Sequence, residues 1–188
     1  PDPAEPENLQ DLINRVESEE ADIGLAFDGD GDRLGVISNT GQIIWPDKLM
    51  MLFSKHLLNA NPGATIISDV KCSMDLAQVV QRHQGKYLMW RTGHSHIKSK
   101  MAETGSLLGG EFSGHICFRD KWYGYDDALY SAARLLEILA NSDKSTNDLF
   151  SEFPTRHCTP EFKIETTESK KFEIIKAISK TLDLPDAK

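Results

Sequence analysis

The amino-acid sequence predicts an α/β fold, with a mixed, mostly parallel sheet sandwiched by helices. Three observations carry this expectation. Short apolar runs at residues 65–68, 86–90 and 107–109 read as strands. The stretches between them place apolar residues at helical rather than alternating spacing, the pattern of strand–helix–strand crossover units. The composition, 39% hydrophobic with 13 glycines in 188 residues, is that of a folded chain and not of a disordered one.

The elements follow in order. Pro6 suits the first turn of a helix because its missing N–H would be unpaired there anyway, and Leu9, Leu12, Ile13 and Val16 supply one apolar face to about residue 20. Strands are expected at 23–27 and 34–37, with a turn at Asn39-Thr40-Gly41 before a third apolar run at 43–45. A helix over 47–59, with Leu49, Leu52, Phe53 and Leu57 inward, stops at Asn61-Pro62-Gly63. Then come a strand at 65–68, a helix at 74–84, a strand at 86–90, a helix at 96–103 and a strand at 107–109. A strand at 115–118 precedes a long helix from 126 to about 140. Residues 141–147 are polar and break the pattern, and Pro154 and Pro160 bracket a connection to a strand at 162–165 and a helix at 171–182. One strand and one helix cannot bury a core of their own. Residues 1–42 therefore read as the end of one domain, 43–153 as a complete domain, and 154–188 as a linker with the truncated start of a third. Pro1 stands where an initiator Met would, and the Pro-rich opening is turn-like, so a piece of a longer protein is expected.

Charge is distributed unevenly. The net charge is −8, yet residues 1–32 alone hold eleven acids against one base, Arg15. The acidic face of the first helix accounts for most of this. The rest is nearly neutral and shows no basic stripe with interleaved aromatics, so no nucleic-acid partner is expected. No apolar run approaches the roughly 20 residues of a membrane-spanning helix, and no membrane partner is expected. Cys72, Cys117 and Cys158 are odd in number and far apart, which reads as reduced thiols and a cytoplasmic protein.

The sharpest motif is Asp28-Gly29-Asp30-Gly31-Asp32-Arg33 between two apolar strands. A single Asp-Gly pair would read as a turn. Three carboxylates at alternate positions crowd like charges, and two unit charges at about 4 Å repel by about 1 kcal/mol in water and about 4 kcal/mol at an effective dielectric of 20. A hard divalent cation relieves this, and an all-oxygen donor set suits Mg²⁺ or Ca²⁺. The loop is not an EF-hand, whose sixth and twelfth positions require Gly and Glu where Arg33 and Asn39 stand. Arg33 fits either a phosphate, which a guanidinium grips as a fork, or a salt bridge to a neighbouring aspartate.

Three further segments follow in order: Asp69-Val70-Lys71-Cys72-Ser73, then Arg91 through Lys98 with Gly93-His94, then Gly110-Glu111-Phe112-Ser113-Gly114-His115. With the aspartate loop, they resemble the motifs of the α-D-phosphohexomutases, and within that family the bacterial phosphomannomutase/phosphoglucomutase branch. The resemblance implies domains of the phosphohexomutase type. Residues 1–42 would end the metal-binding domain, 43–153 would be the sugar-binding domain and 154–188 would open the C-terminal one. It implies reversible transfer of phosphate between the 6- and 1-hydroxyls of a mannose or glucose phosphate, through a bisphosphorylated sugar and an enzyme phosphoserine. Asp28, Asp30 and Asp32 would bind Mg²⁺. Arg33, Lys71, His94 and His115 would form the catalytic set, and Glu111 and Ser113 would join Lys71, His94 and His115 in holding the sugar phosphate. The parent would be a monomer, and this chain alone would have no turnover.

The residues suit phosphoryl transfer in their own right, since it depends on positioning and charge neutralisation more than on a nucleophile triad. A histidine can move a hydroxyl proton near neutral pH. His56, His83 and His157 read as ordinary packed or surface residues, and Cys72 as a bystander thiol. Trp122, Tyr123 and Tyr125 either wall a sugar site or pack in the core. Two alternatives stay open: a haloacid-dehalogenase-type phosphatase or mutase with Asp28 as nucleophile, although Asp32 stands where that motif has Thr or Val, and a non-catalytic module that binds Mg²⁺ or sugar phosphate.

Overall fold

The strands at the front of the chain build a small antiparallel sheet, β1 (Ile23–Phe27), β2 (Leu34–Ser38) and β3 (Ile43–Ile44) in that order. The computed structural model describes residues 2–155 and 164–182, and the chain divides after Pro154 into two units. In the first unit the opening helix begins as a 3₁₀ turn at Pro6–Leu9 and continues as α1 (Gln10–Ser18). Leu9 and Val16 bury against Ile37 of β2, while Glu17, Glu19 and Glu20 stay exposed. β1 and β2 pair to their ends, Phe27 opposite Leu34, so residues 28–33 form the hairpin connection on a firm base.

α2 (Pro46–Ala60) follows directly, with Trp45 as its N-cap and Pro46 in its first turn. β4 (Thr65–Asp69), α3 (Met74–Arg82), β5 (Lys86–Trp90), α4 (His94–Thr104), β6 (Leu108–Gly110) and β7 (Ile116–Phe118) complete a second sheet of order β5-β4-β6-β7. β4 pairs in parallel with β5 and β6, and β7 runs antiparallel to β6. This is the mixed, mostly parallel sheet that the sequence predicts. The period of two along each strand divides the core. Ile66 of β4 and Ile116 and Phe118 of β7 join the cluster built with α2, α3 and α5 (Ala128–Ala140). Ile67 and Cys117, one residue along, face Ile97 and Met101 of α4. Helices therefore cover both faces. Phe53 of α2 meets Phe118 edge to face at 5.1 Å, and full burial of such a side chain is worth about 1.5–3 kcal/mol.

Several helices differ from expectation. α4 starts at His94, two residues early, because Gly93 at φ +128° turns the chain sharply out of β5. α5 starts at Ala128, not 126, because Asp127 is its N-cap and accepts the Tyr130 N–H at 2.8 Å. The polar stretch near 145 opens a short helix, α6 (Thr146–Ser151), capped by Ser145.

In the second unit the expected helix is present as α7 (Glu168–Thr181). Residues 162–163 of the expected strand lie outside the described residues, and 164–165 are not in a strand.

Candidate active site

Parallel strands deliver their C-terminal ends to one edge of a sheet, where ligands bind in α/β folds. Here β4, β5 and β6 end at Asp69, Trp90 and Gly110 and send the loops 70–73, 91–93 and 111–115 to the same edge. α3 and α4 leave on opposite faces, which opens a crevice between the loops.

Asp69 ties these loops together. It is fully buried, and its Oδ1 accepts the Phe112 N–H at 3.1 Å and the Cys72 thiol at 3.2 Å, while Oδ2 accepts the Thr92 hydroxyl at 3.0 Å. Lys71 is exposed on the first loop. Burial and the adjacent Asp69 push the Cys72 thiol well up, which makes it a poor nucleophile. In the third loop Glu111 is buried, accepts the Gly93 N–H through Oε1 and lies 3.4 Å from His115 Nδ1 through Oε2. Ser113 Oγ is 2.9 Å from the same nitrogen.

The aspartate loop joins this group from the other sheet. Arg33 bridges to His115, the Leu34 N–H donates to the Gly114 carbonyl at 3.2 Å, and the Ala128 N–H of α5 donates to the Gly31 carbonyl at 2.9 Å. Within the loop, Gly31 takes φ +76°, which brings the Asp32 and Arg33 N–H groups onto Asp28 Oδ1 at 2.9 and 3.0 Å. Arg33 Nε donates to Asp28 Oδ2 at 2.7 Å, and its Nη1 pairs with Asp2 at 2.6 Å. Burial acts to raise the Asp28 carboxyl, but the Arg33 backbone and guanidinium donors outweigh it and hold Asp28 below the usual range. Asp32 goes the other way. Burial, followed by the neighbouring carboxylates of Asp126 and Asp30, pushes it up. Asp30 is exposed at the tip.

His94 and His115 stack at 4.9 Å, with their planes 23° apart. His94 Nδ1 is 2.6 Å from Asp126 Oδ2, and Lys98 Nζ donates to Asp126 Oδ1 at 2.7 Å. Burial holds His115 below the usual histidine range. Among the described residues, the acids and histidines whose ligand atoms lie within 4.8 Å of one another are Asp32, His94, His115 and Asp126. Lys98 already neutralises Asp126, so that group is a hydrogen-bonded network more than a cation cage. The aspartate loop is the better fit to a hard cation. Its donors are all carboxylate oxygens, and Asp32 carries a charge that its acidic neighbours oppose and that no Lys or Arg among the described residues pairs with.

The structure thus brings Asp32, Arg33, His94, Glu111, Ser113 and His115 together, with Asp28 turned onto Arg33 and Asp30 and Lys71 exposed on adjoining loops. Sequence reasoning missed Asp126, Lys98, Asp69 and Thr92. For Asp126 a signal existed: two acids precede an apolar helix that needs one cap, and Asp127 is that cap.

The chain matches known proteins along its whole length. Residues 1–41 match the family model for phosphoglucomutase/phosphomannomutase, alpha/beta/alpha domain II, and residues 45–157 match that for domain III. A phosphomannomutase/phosphoglucomutase of Pseudomonas putida is 56% identical over 187 residues, covering 100% of this chain and 40% of that protein. A phosphoglucomutase of Neisseria gonorrhoeae is 51% identical over 168 residues, 89% of this chain and 36% of the relative. The crystal structure of a phosphoglucomutase/phosphomannomutase family protein from Burkholderia thailandensis superposes with a TM-score of 0.82 at 55% identity, covering 85% of this chain and 34% of that one. The chain spans about two-fifths of the length of the curated relatives it matches over its whole length.

Proposed function

Since this chain belongs to the phosphoglucomutase/phosphomannomutase family, we propose that it supplies the metal, sugar and proton-transfer loops of an enzyme that reversibly interconverts hexose 6-phosphates and hexose 1-phosphates. The transfer runs through an enzyme phosphoserine, on a part of the parent outside this chain, and a bisphosphorylated sugar. One observation above all supports this: the loop Asp28 to Arg33, although it comes from a different sheet, pairs by its backbone with His115 and places Asp32 within 4.8 Å of the ligand atoms of His94, His115 and Asp126.

Asp28, Asp30 and Asp32 would hold Mg²⁺, which supplies positive charge against the phosphate oxygens. Arg33 is steadied by Asp28 and Asp2 and keeps further N–H donors for a phosphate. Lys71 adds a second positive charge. Ser113 and Glu111 would hydrogen-bond the ring hydroxyls, and His94 and His115 would exchange protons with the reacting ones. Burial keeps His115 in the neutral form that can accept a proton near neutral pH. Asp28 suits the nucleophile of a phosphatase poorly, because both of its oxygens already accept hydrogen bonds from Asp32 and Arg33.

Residues 1–42, 43–153 and 154–188 would be the end of the metal-binding domain, the sugar-binding domain and the start of the C-terminal domain. The hexose phosphate is the partner, and the parent acts as a monomer. The unpaired, buried Cys72 and Cys117 suit a reducing compartment, in keeping with a cytoplasmic parent.

Incubation of the full-length parent with Mg²⁺, α-D-glucose or α-D-mannose 1-phosphate and a trace of the 1,6-bisphosphate, followed by phosphorus NMR, tests the assignment. The 6-phosphate should appear without inorganic phosphate. Release of inorganic phosphate alone, or no conversion of either sugar, would overturn it. The 188-residue chain by itself should give no conversion.

A further inference from the structure

Asp126 is charged and nearly all of its side chain is buried, with 4% exposed, yet it caps no helix. Its two oxygens are divided between residues one turn apart on α4: Oδ2 meets His94 Nδ1 at 2.6 Å, and Oδ1 accepts from Lys98 Nζ at 2.7 Å. Burial would raise its carboxyl, but the hydrogen bonds from Lys98 and His94 hold it below the usual range, so it is ionised near neutral pH and only accepts. A contact of 2.6 Å between such an oxygen and a ring nitrogen needs a proton between them. Lys98 Nζ lies 3.2 Å from the same Nδ1, but an ammonium only donates. Were Nδ1 the acceptor for Lys98, two bare acceptors would face each other at the shorter distance. Nδ1 therefore carries a proton, and in the neutral ring the lone pair is on Nε2, which has no hydrogen-bond partner among the described residues.

We propose that Asp126 is a positioning residue that fixes His94 as the Nδ1–H tautomer, making Nε2 the atom that takes the proton of the reacting sugar hydroxyl. This rests on the proton-transfer role proposed above for His94. In the step, the sugar O–H bond breaks and its proton goes to Nε2. The oxygen keeps the electron pair and forms the new bond to phosphorus, and the phosphoserine P–O bond breaks with its pair on the serine oxygen. Asp126 then faces the imidazolium it has oriented, and Lys98 prevents the carboxylate from turning away.

Asp126→Asn distinguishes this from simple packing. Lys98, a donor, keeps the amide oxygen, so the NH₂ group faces Nδ1 and His94 must carry its proton on Nε2, the wrong tautomer. Long-range ¹⁵N–¹H correlation spectra of the histidine-labelled 188-residue chain, in alkaline buffer where the ring is neutral, read the tautomer directly. The expected result is Nδ1–H in the unaltered chain and Nε2–H in Asp126→Asn. Nε2–H in the unaltered chain, or no change on substitution, would overturn the inference without any assay. In the full-length parent, Asp126→Asn should lower kcat by about 10²- to 10⁴-fold with KM within about threefold, and Asp126→Glu should restore part of the loss. An active parent whose kcat is unchanged in Asp126→Asn would sink the positioning role alone, whereas an inactive unaltered parent would sink the phosphomutase reading and this role with it.

Discussion

Asp28 and Asp32 sit four residues apart on one loop and are driven in opposite directions. Asp28, with 5% of its side chain exposed, answers to Arg33, and Asp32 to its acidic neighbours. A depressed carboxyl stabilises the fold above its unfolded pKa of about 3.9 and loses that contribution as pH falls through its folded value. Asp28→Asn should therefore cost about 1–3 kcal/mol at pH 7 in urea unfolding, with little cost left near pH 2. A raised carboxyl stabilises only below its unfolded pKa, so at neutral pH the Asp32 charge works against folding. Asp32→Asn should raise Tm by about 1–3 °C in calorimetry without metal; added Mg²⁺ is expected to raise Tm further in the unaltered chain and not in the variant. His115 has the sign of Asp28. Its folded pKa lies below the unfolded value of about 6.5, so it contributes stability above that value and loses it as pH falls. The decline in unfolding free energy from pH 7 to 5 should be shallower in His115→Gln. At this scale the aspartate loop was legible because acids alternating with glycines leave few structural uses. For Asp126 the sequence offered only a second acid beside the helix cap; its pairing with His94 and Lys98, about 30 residues away, was not legible because only the fold brings them near.

The loops owe their placement to the elements beneath them, and Asp69 at the end of β4 is the strongest single tie. Replacing it by Asn leaves one oxygen and one NH₂ group where three donors, from Cys72, Thr92 and Phe112, need acceptors. A loss of about 2–4 kcal/mol is expected, with faster amide exchange at Phe112 and in the 91–94 turn before any change in α2. Asp127→Ala removes the cap of α5 and should cost about 1 kcal/mol. Because the Ala128 N–H also holds the Gly31 carbonyl, that variant should loosen the aspartate loop as well. The order of strands and helices could be read from apolar spacing because each strand is bounded by a turn signal and each long helix has an apolar face. What escaped were the boundaries that the site uses. α4 begins at His94 because a glycine at positive φ restarts the chain there, a conformation that apolar spacing does not encode. α6 went unread because its six residues offer too few apolar positions to show a period.

For the whole molecule, the consequence is that an antiparallel sheet and a mixed sheet, matched by two successive family domains, contribute to one site within a single unit. The four motifs were legible in order along the chain, but their meeting was not, since the pairing of Arg33 with His115 spans residues of different sheets. If the two sheets act as one catalytic unit, damage to either should leave little for damage to the other to remove. The most direct measurement is a double-mutant cycle on kcat in the full-length parent, with Asp32→Asn from the first sheet and His115→Gln from the second, at saturating Mg²⁺ and hexose 1-phosphate. Each single substitution should lower kcat by about 10²-fold or more, and the double variant should be little worse than the weaker single, as expected of groups that work together. Losses that multiply in full, or a single variant with unaltered kcat, would contradict a shared site.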